Sequence, residues 1–92
     1  MHVIQLAEAQ WLVLDRQVRP QFLMVKGPMV DRATGETHIV FRIEWWSIVK
    51  SERRVLAVLP HELVARDWCR AEIERAEHQR ESVYESVARR GF

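Results

Sequence analysis

The chain holds a single cysteine, Cys69, among its 92 residues. No internal disulfide can form, and a cysteine-based zinc cluster is not available. A reducing compartment is the simpler setting for such a chain. Glycine and proline are scarce, with three of each, and three scattered glycines build no phosphate-cradling loop. Apolar runs such as Trp11–Leu14 and Phe22–Val25 fall far short of the about 20 residues that span a membrane. No basic stretch followed by an apolar core opens the chain, which argues against a secretory signal. The expectation is a soluble, cytoplasmic protein with neither end cleaved or lipidated. An excess charge of one sign is also lacking: fourteen basic residues against thirteen acidic leave +1, which argues against a general polyanion binder.

What is present is ordinary for a globular chain, with 48% hydrophobic and 29% charged residues. The length suits one domain, residues 1–92, with a single core that buries roughly 60–65% of the unfolded chain's surface. Arg outnumbers Lys twelve to two, and four of the eight aromatics are Trp.

Ile4, Ala7, Trp11, Leu14 and Val18 recur at helical steps among helix-favouring residues, which predicts an N-terminal helix ending before Pro20. The competing reading makes Trp11–Leu14 a buried strand, since so short an apolar run does not settle its own period. Phe22–Lys26 reads as a strand that Gly27-Pro28 bends or ends at an edge. Asp31–Glu36 has turn chemistry, with Gly35 free to take a positive φ. Beyond it Ile39, Phe41, Ile43, Trp45 and Val49 share one parity while Arg42, Glu44 and Lys50 share the other, a half-buried strand. Lys50–Arg54 reads as a turn, Val55–Leu59 as a third strand, and His61 onward as one long helix closed near Gly91. The expected fold is therefore α+β: a three-stranded antiparallel meander with an N-terminal helix and a long C-terminal helix, in α-β-β-β-α order.

Cys69, Ile73, Ala76, Arg80, Val83 and Val87 form a narrow heptad-like seam on that last helix. Thirty helical residues reach about 45 Å, whereas a compact domain of this size has a radius of gyration of about 12 Å. The distal half is thus expected to project beyond the sheet. Ala76, Arg80, Val83 and Val87 are its candidate dimer interface, in an antiparallel pair with a second copy.

Adjacent strand residues point to opposite faces, so Trp45 and Trp46 cannot both enter one core. With Trp45 inward, Trp46 joins Val40, Arg42 and Ile48 on the outer face, a candidate surface for another protein. Arg16, Arg19, Arg53 and Arg54 are the candidate nucleic-acid contacts, since guanidinium forks suit phosphates and a nearby indole can stack a base. A third possibility is a small-ligand pocket near Trp11, Trp45 and Trp68.

The element order, with Gly27-Pro28 after one strand and His38 and Phe41 opening the next, resembles a double-stranded-RNA-binding domain. The likeness stops there. That family places a histidine almost directly after Gly-Pro, whereas His38 lies ten residues beyond Pro28. Its Lys-Lys at the start of the last helix is replaced by Pro60-His61-Glu62-Leu63, so the phosphate grip is missing and the RNA function is not carried over.

None of the four histidines has metal-ligand spacing, and no serine sits in a nucleophile-elbow context. No metal, cofactor or catalytic residue is expected. The composition and patterning favour a non-enzymatic protein-interaction module, accessory, regulatory or inhibitory, of the kind phages and mobile elements use, acting as a dimer. Nucleic-acid binding is the alternative.

Overall fold

The computed structural model describes residues 1–89, with side chains described through residue 79. Five strands precede one helix: β1 (His2–Ala7), β2 (Gln10–Leu14), β3 (Pro20–Val30), β4 (Thr37–Trp45), β5 (Val55–Leu59) and α1 (Glu62–Arg89). The strands form one antiparallel sheet in chain order, β1-β2-β3-β4-β5. A single 3-10 turn, Lys50–Glu52, interrupts the β4–β5 connection.

The expected N-terminal helix is not there, and the α-β-β-β-α order is corrected to five strands followed by a helix. Residues 3–17 instead build the β1–β2 hairpin and the start of the next turn. Ile4 pairs with Leu12, and Leu12 with Leu23 on β3, so each residue of the Trp11–Leu14 run gains a cross-strand neighbour that a helix would not give it. Apolar side chains on both parities of β2 suit a central strand, and sheet pairing outweighs the modest helix preference of Gln5, Leu6, Ala7 and Glu8.

β3 also runs farther than expected, through Gly27-Pro28 to Val30. Pairing with β2 ends at Val25, so beyond that point β3 is an edge strand with only β4 beside it. A proline without an N–H is tolerated there because its bare nitrogen faces no ladder partner. The β3–β4 turn behaves as its residues dictate. Asp31 Oδ1 accepts from the Ala33 N–H at 2.9 Å, the Gly35 N–H donates to the Asp31 carbonyl at 2.7 Å, and Gly35 sits at φ +74°.

The β2–β3 turn is organised by Asp15, which is buried despite its charge. Its Oδ1 accepts the Gln17 and Arg19 N–H groups at 2.9 and 3.0 Å, and its Oδ2 accepts Arg19 Nε and Gln21 Nε2 at 3.2 and 3.3 Å. The Arg19 N–H, aided by the Gln17 N–H and the Arg19 charge against opposing burial, holds the Asp15 carboxyl below its ordinary 3.8. The tight turn forces Val18 to φ 60°, a left-handed conformation that a β-branched residue rarely adopts.

One face of the sheet carries the core. Val13, Phe22, Met24, Phe41 and Ile43 meet Ala65, Cys69 and Ile73 of α1, with Val3, Trp11, Ala57, Leu59 and Trp68 packed around them. On β4, alternation places Phe41 and Ile43 inward and Arg42 outward, as the sequence pattern predicts. The helix is continuous past Asp67, and steps of four from Ala65 to Cys69 to Ile73 set its buried stripe. Burial pushes the Cys69 thiol up to about 12, with Glu72 adding to the effect, so this cysteine is an inert core residue. At 28 residues α1 is about 42 Å long, and it stretches the molecule to 60 Å with a radius of gyration of 16.5 Å. No helix among the described residues is long and apolar enough to cross a membrane.

Candidate functional site

The second face of the sheet has no helix on it among the described residues, yet it is far from polar. Register places Ile4, Leu12, Leu23 and Glu44 in one row across β1 to β4. The next row holds Gln10, Val25, Arg42 and Val58 across β2 to β5. Val40 lies one step farther along, opposite Gly27. Leu14 and Leu23 are as buried as the core residues but belong to no part of the cluster under α1. Ile4 and Val58 stand open, and Arg42 Nε donates to Glu44 Oε2 at 3.2 Å in the middle of the apolar surround.

Of the residues expected on the partner surface, Val40 and Arg42 do share this face. Ile48 does not: it is 89% exposed on the β4–β5 connection, because β4 stops at Trp45 and not near Val49. Ser47 ends the strand, its Oγ accepting the Val49 N–H at 3.2 Å and its carbonyl accepting Arg53 Nε at 2.8 Å. Trp46 is half-buried just beyond β4, with the Arg53 guanidinium 4.6 Å over its ring. Trp45, expected inward, is on the helix side of the sheet but 49% exposed at its end, its ring meeting Phe22 edge-on at 6.1 Å.

On α1, Ala76 is exposed, whereas Arg80, Val83 and Val87 lie outside the residues whose side chains are described. Where a ligand pocket is expected, Trp11 meets Phe41 at 6.0 Å and Trp68 meets Phe22 at 5.6 Å.

The four arginines, far apart in sequence, lie on segments at the same end of the sheet. The β2–β3 turn carries Arg16 and Arg19, and the β4–β5 connection carries Arg53 and Arg54. One hydrogen bond ties the two regions, the Trp46 N–H donating to the Gln21 carbonyl at 3.1 Å, while the Trp45 N–H donates to the Arg54 carbonyl at 2.8 Å and closes the β4–β5 connection on itself. Arg19 is committed to Asp15, while Arg16 reaches Glu77 only at 3.8 Å. A concavity of about 720 Å³ opens here between Trp45, Trp46, Ser47, Ser51, Glu52, Arg54 and Leu56. At the other end, Met29, Val30 and Ile39 face Pro60 and His61 across a recess of about 850 Å³.

Sequence reasoning missed Ile4, Leu12, Leu23, Val25 and Val58 as members of this face. The available signal was Trp11–Leu14 itself, which is apolar on both parities and therefore fits a strand with two apolar faces better than a helix with one. Among the described residues no group of three or more His, Cys, Asp or Glu is placed to hold a metal ion. Comparison with family models, curated proteins and solved structures finds no match to this chain.

Proposed function

We propose that the chain is a non-enzymatic interaction protein whose open sheet face pairs with a second copy of itself. The observation that carries this reading is the pair of cross-sheet rows, Ile4–Leu12–Leu23–Glu44 and Gln10–Val25–Arg42–Val58, on a face that no helix covers among the described residues. Those rows are self-complementary. A two-fold axis lying in the interface midway between them sets each Arg42 over Glu44 of the other copy and each Leu23 over Val25. The resulting four-charge cluster satisfies both signs, while the aliphatic side chains around it lose their water. Two sheets stacked about 10 Å apart make a sandwich with α1 on each outer side.

Area sets the strength. Five strands about 4.8 Å apart and five residues of about 3.4 Å give on the order of 400 Å² of flat face per copy. Over both copies that is roughly 800 Å², short of the about 1,000 Å² that a stable interface needs, so a weak, transient dimer of micromolar or looser affinity is expected. Sedimentation between about 1 and 300 μM tests it. The expected result is a concentration-dependent monomer–dimer equilibrium that Ile4→Glu abolishes while circular dichroism stays unchanged. A monomer across the whole range overturns the reading.

A further inference from the structure

We infer that the loop end of the sheet binds single-stranded nucleic acid, with a base stacked on Trp45 and phosphates held by Arg16, Arg53 and Arg54. This site is separate from the open sheet face and stands whether or not the chain dimerises.

Charge is the first observation. The two segments that meet at this end, residues 15–21 and 46–54, carry Arg16, Arg19, Lys50, Arg53 and Arg54 against Asp15 and Glu52. Asp15 is taken up by its own turn and by Arg19, and Glu52, which lines the concavity, keeps its charge while accepting a hydrogen bond from Ser47 Oγ at 3.3 Å, so five cations stand against two anions. Neither Arg53 nor Arg54 has a carboxylate partner among the described residues, and the long, solvated Arg16–Glu77 contact holds Arg16 only weakly. The near-neutral whole chain therefore hides a locally cationic end.

The second observation is preorganisation. Arg53 is stacked on Trp46 and anchored through Nε to the Ser47 carbonyl, which fixes its guanidinium fork and leaves the terminal nitrogens without a hydrogen-bond partner among the described residues. Trp45 offers half of its surface to solvent on the wall of the 720 Å³ concavity, with its ring braced by Phe22. A braced, open indole that shares its concavity with the unneutralised Arg54, with Arg16 and Arg53 at the same end of the sheet, suits a planar base joined to phosphates. Bases inside a duplex are stacked on one another and cannot reach such a wall, which is why a single strand is the fitting form.

Titration of a twelve-nucleotide deoxythymidine strand, followed by tryptophan fluorescence, tests the proposal. The expected result is quenching at low salt, with log K falling against log salt at a slope of about −2, as for three phosphates. Trp45→Ala weakens binding about tenfold, and Arg54→Ala flattens the slope by about 0.7. Absence of quenching at low salt overturns the site. So does binding of poly-glutamate or of duplex DNA as tightly as the single strand. Should Trp45→Ala lose its fold by circular dichroism, Arg54→Ala decides alone, since Arg54 is exposed and outside the core; an unchanged slope then overturns the site.

Discussion

The two faces of the sheet are built from the same strands and nearly the same amount of aliphatic side chain, yet only one is closed. Under α1, Val13, Met24 and Ile43 lose all contact with water. On the far face Leu23 reaches similar burial through its neighbours alone, while Ile4 and Val58 stay open around the Arg42–Glu44 pair. The difference shows what the helix does and what it leaves undone. Alternation along a strand decides which side chains share a face, but whether that face is closed depends on how many layers the chain can supply. The described residues supply one helix for two apolar faces.

Stability measurements break the comparison if the faces are equivalent. Ile43→Ala, made where the side chain is fully buried, is expected to lower the unfolding free energy by about 2–4 kcal/mol in urea melts. The matching truncation on the open face, Val58→Ala, should cost about 0.5 kcal/mol or less in dilute, monomeric protein. Equal losses would mean that the open face is covered in solution even when the protein is dilute.

Asp15 closes β2 where the two faces end, and its pH response sharpens the same contrast at the turn. Its folded carboxyl titrates below its ordinary 3.8, so the folded chain prefers the charged form more than the unfolded chain does. The stabilisation is full above that ordinary value and is lost as pH falls through the lower, folded one. Wild-type protein should therefore show a urea midpoint that drops on acidification from pH 5 to pH 2. Asp15→Asn should start lower at pH 7 and respond less to acid. A small effect of opposite sign is expected three residues later. Val18→Gly relieves a left-handed φ of 60° and should raise stability by about 0.5–1 kcal/mol after the added freedom of the unfolded chain is counted.

Much of this architecture was readable from local chemistry. The β3–β4 turn follows from Asp31 and Gly35, β4 from the alternation of Phe41, Arg42, Ile43 and Glu44, and α1 from its long run of helix formers after Pro60. The first seventeen residues were not readable in the same way. Ile4, Ala7, Trp11 and Leu14 satisfy a helical period by coincidence, because a turn at Glu8-Ala9 falls between two short strands and restarts the count. Only the partners Leu12 and Leu23 provide across the sheet settle the choice, and such pairing is invisible in a linear string. The open face was legible in part: Val40 and Arg42 were placed on it, but its β1 and β2 half depended on the hairpin that the helical period concealed. The convergence of Arg16 and Arg19 with Arg53 and Arg54 was hidden for the same reason, since it arises from strands that end at a common edge.

The central claim is that the open face recognises a second copy through Arg42 and Glu44. Sedimentation equilibrium on a charge-swap cycle tests it most directly. Wild-type protein should dimerise, Arg42→Glu and Glu44→Arg should each be monomeric because like charges then face one another across the two-fold axis, and the double swap should dimerise again. Dimers that persist in both single variants, or a double swap that remains monomeric while folded, would contradict the account.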